Sequence, residues 1–240
     1  MAGTRETTRQ AALLAWRYGR LEGEALLRPL LERELRGRAA LLSSFGSESA
    51  VLLHMVAKID PATPIIFLET GKLFPETLRY RDEIVKRLYL SDVRSVAPEP
   101  AALAARDPAG DLHRRDADAC CQLRKVEPLN RALAGFAAVV SGRKRYQGGT
   151  RRKLPAIELD GALIRINPLV AYSAERIEHE RVALGLPPHP LEADGFLSIG
   201  CAPCTDRVSL GEDRRAGRWR GSEKRECGIH QTLQIIDSAA

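Results

Sequence analysis

The chain has 240 residues, of which 44% are hydrophobic and 28% are charged, and its formal net charge is +6. These values are ordinary for a soluble globular protein, and no apolar run approaches the roughly 18 residues that a membrane-spanning helix needs. The apolar stretch from Ala11 to Trp16 is too short and too closely flanked by charge for a signal peptide. We therefore expect a cytoplasmic protein that does not associate with membranes.

Short apolar runs alternate with longer amphipathic stretches along the chain. Strands are predicted at 39–45, 63–70 and 137–142, with a weaker one at 92–98 and a hairpin at 156–169 around Asp160-Gly161; helices are predicted at 47–59, 75–90, 119–136 with a break at Pro128, and 173–185. Ser173 is expected to cap the last helix and Gly185 to end it. This alternation predicts an α/β fold with an open, mostly parallel sheet flanked by helices.

The composition changes after Gly211, where apolar periodicity almost disappears. We therefore expect one domain over residues 1–210 and a C-terminal segment, 211–240, that is mobile in at least one functional state. Basic residues concentrate at 142–153 and 213–226. Because aromatic residues make up only 5% of the chain, few side chains could stack on single-stranded bases, and a compact anion is a better ligand for these stretches than a nucleic acid.

The loop "SSFGSES" at 43–49 connects a predicted strand to a predicted helix. A Ser/Gly turn at this position can present backbone N–H groups to a phosphate or sulfate at the positive end of the helix dipole. It is not a P-loop, since no Gly-Lys-Ser/Thr follows. An ordinary turn whose serines cap the helix remains the alternative.

Five cysteines occur as two pairs and one single residue, and a reducing compartment would keep them out of disulfides. Cys201 and Cys204 have the spacing of metal ligands, whereas Cys120 and Cys121 are adjacent, so their side chains diverge. Converging both on one zinc ion would be strained, while the separate iron corners of a [4Fe–4S] cluster can each take one thiolate. Zinc, simple burial, and a redox dithiol at the Cys-x-x-Cys pair remain open.

Cys227 is the single residue, in the C-terminal stretch "KRECGIH". The basic residues around it and His230 would stabilise a thiolate. Its position in a polar tail predicts an exposed side chain, and Gly228 gives the backbone freedom to move it. These features suit a nucleophile, and an accidental tail cysteine is the alternative.

Taken together, eight stretches resemble the assimilatory sulfonucleotide reductases, and specifically the iron–sulfur bacterial adenylyl-sulfate reductases. The stretches are "SSFGSES", "FLETGKLFPET", "DACCQLRKVEPL", "SGRKRYQGGTR", "INPLVAYS", "GFLSIGCAPCT", "RAGRW" and "KRECGIH". The resemblance spans residues 42–230. It implies an adenine-nucleotide α-hydrolase-like fold with a modified pyrophosphate loop, which lacks the Gly-Gly and Asp of ATP-cleaving relatives.

The resemblance also implies roles for individual residues. The implied cluster ligands are Cys120, Cys121, Cys201 and Cys204. The implied nucleotide-site residues are Ser43, Ser44, Phe45, Gly46, Leu68, Thr70 and Gly142, and the implied phosphosulfate ligands are Arg152, Arg215 and Arg218. Cys227 would be the nucleophile with His230 beside it, and Lys125 would lie between cluster and substrate.

The implied reaction is the reduction of adenosine 5′-phosphosulfate to sulfite and AMP, with thioredoxin or a glutaredoxin-like protein as reductant. It would proceed through an S-sulfocysteine and serve sulfate assimilation for cysteine biosynthesis, in a homodimer or homotetramer. Three alternatives remain open: a reductase acting on the 3′-phosphorylated nucleotide, an ATP-dependent tRNA-modifying enzyme, and a metal-binding regulator without enzymatic activity.

Overall fold

A six-stranded sheet organises the chain in the computed structural model, which describes residues 2–224 and 226–230. Its strands are β1 (Ala39–Leu42), β2 (Ile65–Leu68), β3 (Val93–Val96), β4 (Ala138–Ser141), β5 (Ile157–Asp160) and β6 (Leu163–Ile166). Their spatial order is β3-β2-β1-β4-β6-β5, and all pairings are parallel except that of β5 with β6. The predicted mostly parallel sheet is confirmed.

Nine α-helices surround this sheet within the described residues. They are α1 (Ala2–Tyr18), α2 (Gly23–Pro29), α3 (Ala50–Ile59), α4 (Pro75–Arg87), α5 (Pro100–Arg106), α6 (Leu112–Arg115), α7 (Ala117–Cys121), α8 (Glu127–Leu133) and α9 (Ala174–Ala183). Leu30–Glu34 and Gln122–Val126 are π-helical, and short 3₁₀ turns lie at Arg145–Gln147, Gly149–Lys153, Pro190–Glu192, Ala202–Cys204 and Gly228–His230. No helix in the described part of the chain is both long and apolar enough to cross a membrane.

The central strands are apolar on both faces because helices cover both sides of the sheet. Every residue of β1, β2 and β4 is buried, as parallel strands between two helical layers require. Alternate residues of β1 enter different cores: Leu41 packs with α2 and α3, whereas Leu42 packs with Leu129 of α8. The strand therefore holds the two layers together.

The predicted hairpin and the predicted cap of α9 are both present. Asp160 pairs with Leu163 across the β5–β6 turn, where Gly161 has a φ of 63°. The Ser173 hydroxyl accepts the backbone N–H of Arg176 at 3.2 Å, and Gly185 follows α9 with a φ of 61°.

The helix predicted at 119–136 is interrupted, but not at Pro128, where the sequence predicts the break. The irregular segment is the π-helical turn at Gln122–Val126, and Pro128 lies in the first turn of α8. The backbone N–H of Glu127 donates to the Gln122 carbonyl, so the helical backbone is continuous into α8. Proline has no N–H to donate, and its ring would meet the carbonyl four residues back in a regular α-helix; here a wider π-helical turn precedes it. The chain therefore changes its hydrogen-bond register before the proline rather than at it.

The strand order creates a switch point between β1 and β4. From β1 the chain proceeds to β2 and β3 on one side, whereas β4, β6 and β5 lie on the other. The chain leaves β1 into α3 and leaves β4 into the 3₁₀ turns Arg145–Gln147 and Gly149–Lys153. In open sheets of this type, a ligand crevice lies at the carboxyl ends of the strands at the switch point.

The described residues of the C-terminal segment, 211–224 and 226–230, include side chains that pack on the body of the protein, and the remainder of 211–240 lies outside the described residues. Trp219 is 6% exposed, and Ile229 packs against the core layer of Leu42 and Leu129. The proposed division at residue 210 stays a prediction.

Candidate functional site

A cavity of about 220 Å³ lies at the carboxyl ends of β1 and β4. Most of its wall comes from the loop at 43–49, the residues after β4 at 142–147, the loop at 197–200, and C-terminal residues at 213–219 and 226–230, and Lys125 and Arg151 also line it. Among the residues proposed from sequence, those that line it are Ser43, Ser44, Gly46, Lys125, Gly142, Arg215, Arg218, Cys227 and His230. Most of the residues proposed from sequence for nucleotide binding and catalysis thus line the crevice at the switch point of the sheet.

The loop at 43–49 is held in a fixed shape by its own hydrogen bonds. The backbone N–H of Phe45 donates to Ser43 Oγ at 3.2 Å, and Ser49 Oγ donates to the Gly46 carbonyl at 2.6 Å. A Cβ at Gly46 would lie 3.3 Å from Ser44 Oγ and 3.4 Å from the carbonyl oxygen of Ile199, so this loop and the loop at 197–200 are close together at Gly46.

Phe45, Leu68 and Thr70 do not line this cavity. Phe45 is fully buried and packs edge-on against Phe67 at 5.5 Å between ring centroids, so it anchors the loop in the core. Leu68 belongs to a core layer. Thr70 Oγ1 lies 3.3 Å from Cys201 Sγ, which places it beside the cysteines.

The structure brings Arg151, rather than the proposed Arg152, to the cavity. Both residues belong to the 3₁₀ turn Gly149–Lys153, where successive side chains diverge by about a third of a turn. Arg151 points inward and is buried, whereas Arg152 is exposed. Arg151 is the last residue of the motif at 141–151, and that motif is the signal that could have found it.

Two carboxylates that sequence reasoning did not single out neutralise cations in the cavity. Glu48 accepts from Lys144 Nζ at 2.7 Å and from Gln147 Nε2 at 2.9 Å, and it also accepts from the Tyr146 hydroxyl. Glu226 accepts from Arg151 Nε at 2.6 Å. Both residues lie inside quoted motifs, at 43–49 and 224–230.

The charge around His230 keeps its ring neutral. Desolvation and the nearby cations Arg151, Arg165, Arg143 and Arg215 hold the pKa of His230 well below its usual range. Its Nδ1 has no hydrogen-bond partner among the described residues. A neutral imidazole facing the cavity can exchange hydrogen bonds with a ligand but adds no positive charge.

Cys227 lies deep in the cavity wall and is 5% exposed, so the expectation of an exposed side chain is wrong for this conformation. The tail folds back because Gly228 meets the π-helical turn, where an added Cβ would lie 2.8 Å from Val126 Cγ2. The hydrogen bond with Cys121 and the charge of Lys125 lower the pKa of Cys227 well below its usual value, against the opposing effect of burial.

The other four cysteines line a second, smaller cavity. Cys120 and Cys121 come from the end of α7, and Cys201 and Cys204 from the loop at 201–204. The backbone N–H of Ala202 donates to the Lys72 carbonyl at 2.8 Å and so fixes the second pair beside the chain that follows β2. Within the described residues, no three His, Cys, Asp or Glu side chains form a single-ion site.

Lys125 lines both cavities. It lies in the π-helical turn directly after the cysteine pair, and such turns are frequent at functional sites. Burial alone would lower the pKa of Lys125, but the facing sulfur groups of Cys227, Cys201 and Cys121 together raise it above its usual range. Its ammonium group therefore carries a positive charge between the four cysteines and Cys227.

Known proteins resemble this chain over most of its length. Residues 38–207 match the phosphoadenosine phosphosulfate reductase domain family. The adenosine 5′-phosphosulfate reductase of Mesorhizobium japonicum is 49% identical over 221 residues, which are 92% of this chain and 87% of the relative. A phosphoadenosine 5′-phosphosulfate reductase of Gloeobacter violaceus is 40% identical and covers 90% of this chain and 92% of its own.

A solved structure shares the fold. The phosphoadenylyl-sulfate reductase of Candida auris superimposes with a TM-score of 0.69 at 24% identity, covering 82% of this chain and 96% of the other.

Proposed function

The chain belongs to the phosphoadenosine phosphosulfate reductase family, and from that premise we propose that it reduces adenosine 5′-phosphosulfate to sulfite and AMP in the cytoplasm. This step supplies sulfite for cysteine biosynthesis in sulfate assimilation. One observation carries the proposal: Cys227 lines the same cavity as Arg151, Arg215 and Arg218, at the switch point of the sheet. The name of the Mesorhizobium japonicum relative supports the nucleotide without a 3′-phosphate.

Binding would divide the nucleotide between two parts of the cavity. The adenosine part suits the loop at 43–49 and Gly142, where backbone groups are close to the cavity. The phosphosulfate suits the cationic side formed by Arg151, Arg215 and Arg218, because guanidinium groups bind phosphate oxygens with paired hydrogen bonds.

In the first chemical step, the Cys227 thiolate attacks the sulfur atom of the nucleotide. An S–S bond forms to give enzyme-bound S-sulfocysteine, the S–O bond to the phosphate breaks, and the electron pair leaves with AMP. Lys125 and the arginines stabilise the charge that develops on the leaving phosphate, because cations already in place need no reorganisation. Burial of Cys227 keeps water from competing for the sulfonyl group.

In the second step, a dithiol reductant releases sulfite. One thiolate of thioredoxin, or of a glutaredoxin-like protein, attacks Cys227 Sγ; sulfite leaves, and the second thiol resolves the mixed disulfide and regenerates the Cys227 thiol. The dithiol provides the two electrons. Because a protein partner cannot enter the cavity, the segment that carries Cys227 must leave its docked position for this step.

The chemistry of the donor set in the smaller cavity suits a [4Fe–4S] cluster held by Cys120, Cys121, Cys201 and Cys204. Lys72 and Lys125 also line that cavity and would offset part of the negative charge of four thiolates, whereas Arg124, which lines it too, is paired with Asp107 at 2.6 Å. When bound, such a cluster would supply fixed charge and would cross-link α7 to the loop at 201–204. Fully active protein that contains zinc and no iron would contradict this assignment.

The test of the proposal is the covalent intermediate. Incubation with adenosine 5′-phosphosulfate in the absence of reductant is expected to add the mass of one SO₃ group to the peptide that contains Cys227. Cys227→Ser should form no adduct and no sulfite, while it still binds AMP. An active Cys227→Ser enzyme, or an adduct on another cysteine, would contradict the mechanism.

A second candidate is a reductase of the 3′-phosphorylated nucleotide, which the name of the Gloeobacter violaceus relative favours. Lys144 and Arg214 line the cavity, but both already face Glu48, at 2.7 and 3.5 Å. An additional phosphate would therefore meet a carboxylate as well as cations. The rates with the two nucleotides distinguish these candidates.

A further inference from the structure

Glu226, which directly precedes Cys227 in the chain, binds two cations of the cavity. Arg151 Nε donates to Glu226 Oε1 at 2.6 Å, and Arg151 Nη2 donates to Oε2 at 2.8 Å. Arg215 Nη2 lies 3.4 Å from the same Oε2 atom. The three side chains are 6% (Arg151), 16% (Arg215) and 17% (Glu226) exposed, so water screens their charges only weakly.

The contacts of Glu226 with Arg151 and Arg215 use guanidinium N–H donors that an anionic ligand in the cavity would also bind. Arg151 donates through its remaining nitrogen, Nη1, to the Gln147 side chain, so each guanidinium nitrogen of Arg151 already has a partner. All three charged groups line the cavity. Two N–H groups of Arg151 remain, one on each Nη, but the pair of parallel donors formed by Nε and Nη2 is occupied by the Glu226 carboxylate. A phosphate or sulfate that binds this pair must therefore replace Glu226.

We propose that Glu226 is an internal counter-anion whose carboxylate occupies the anion position between Arg151 and Arg215 until the phosphate side of the nucleotide replaces it. The inference rests on the proposed function only in taking the cavity as the nucleotide site. Without the carboxylate, Arg151 would lose two hydrogen bonds, and its repulsion of Arg215 would no longer be offset by a carboxylate between them, which is costly. With it, ligand-free protein keeps the arginines ordered and the tail docked.

The exchange also links anion binding to the nucleophile. Glu226 and Cys227 are adjacent, so replacement of the carboxylate releases the residue next to the thiol from its contacts with Arg151 and Arg215. Among the described residues, two other carboxylates line the cavity. Glu48 binds Lys144 rather than Arg151 or Arg215, and Asp213 accepts the backbone N–H of Arg215 at 2.8 Å, so Glu226 is the one that binds the Arg151 side chain. Glu226 is therefore a positioning residue that sets anion affinity.

Equilibrium binding of AMP and of adenosine to the full-length holoenzyme tests the inference. The Glu226 carboxylate and the phosphate of AMP compete for one position. The apparent Kd for AMP therefore equals its intrinsic Kd divided by the fraction of protein in which that position is open. If the position is open in roughly a tenth of the wild-type molecules, Glu226→Gln should lower the apparent Kd for AMP about tenfold, because glutamine carries no charge that holds it between the arginines. Adenosine, which carries no anion, should bind both proteins equally.

Glu212→Gln is the matched control, because Glu212 lies in the same segment and pairs with Arg220 at 3.0 Å outside the cavity. It removes one charge and one ion pair, and it should leave both affinities as in the wild type. Glu226→Ala provides a second variant with the same expected direction as Glu226→Gln.

Unchanged or weaker AMP binding by both Glu226 variants would overturn the inference, and so would equal tightening of AMP and adenosine. If wild-type protein bound neither compound, the nucleotide site itself would be wrong, and the proposed function would fail together with the inference.

Discussion

Arg151 and Arg152 are adjacent and chemically identical, but the 3₁₀ turn that contains them places their side chains in different surroundings. Arg151 is buried in the cavity wall, and Arg152, about a third of a turn further along the same 3₁₀ turn, is exposed. The sequence motif identifies a basic cluster, but the direction of each side chain depends on where its residue lies around the 3₁₀ turn. This is why the proposal from sequence selected the wrong neighbour for the cavity.

This pair supports a prediction. Arg151→Ala should raise the KM for the nucleotide by roughly 10- to 100-fold, because a hydrogen bond to a charged group contributes about 1.5–3 kcal/mol. Arg152→Ala removes the same charge at the surface and should change KM by less than about twofold. Steady-state kinetics of the two variants give the comparison, and equal effects would contradict the placement of Arg151.

The cysteines were the most predictable part of the site. Their spacing along the chain is enough to separate two pairs from Cys227, and the fold gathers the pairs around one cavity. Glu48 and Glu226 were not predictable in the same way. A carboxylate in a polar stretch is ordinarily solvated, and only the fold reveals that these two face Lys144 and Arg151.

At the scale of elements, the closing 3₁₀ turn Gly228–His230 depends on close contact with the π-helical turn Gln122–Val126. A Cβ on residue 228 would lie 2.8 Å from Val126 Cγ2, closer than van der Waals contact allows. Glycine at this position is therefore required by packing, rather than by the backbone freedom that the sequence suggested.

Gly228→Ala should displace the closing turn and slow sulfonation of Cys227 about tenfold, since an overpacked contact costs about 1–3 kcal/mol. The double variant Gly228→Ala with Val126→Ala removes the clashing methyl group and should recover most of the rate. Single-turnover measurement of AMP release checks both. No loss in the single variant would show that the contact does not position Cys227.

The elements most visible in the sequence were those with continuous apolar runs. β1, β2 and β4 lie inside the predicted strands because full burial leaves an apolar signature at every position. No element was predicted for α1 and α2. The docking of the tail was also not predictable, because the Arg151–Glu226 contact joins residues 75 positions apart.

At the scale of the whole molecule, His189 ties α4 to the chain that follows α9. It is fully buried, its Nε2 lies 3.1 Å from Thr77 Oγ1, and its ring packs at a tilt of 56° against the Tyr80 ring, with 4.9 Å between the centroids. Burial lowers the pKa of His189 from 6.5 to about 4. The folded protein therefore holds a neutral imidazole where the unfolded chain would bind a proton.

This shift predicts a loss of stability in acid. Between pH 6.5 and 4 the unfolded state binds more protons at this site than the folded state, so stability rises with pH across that range. Acidification from pH 7 to pH 5 should cost about 2 kcal/mol through His189. His189→Gln should lose less stability than the wild type over the same interval, as measured by denaturant unfolding; equal losses would contradict the assignment.

The docked tail has a consequence for the lifetime of the enzyme. Peroxides oxidise cysteine in its thiolate form, and the rate follows how accessible the sulfur is. Cys227 combines a lowered pKa with 5% exposure, so the sulfur most prone to irreversible damage is hidden while it waits for a nucleotide. The docked position that places the thiol in the cavity thus also protects it from peroxide. In protein without nucleotide, oxidation should begin at residues other than Cys227.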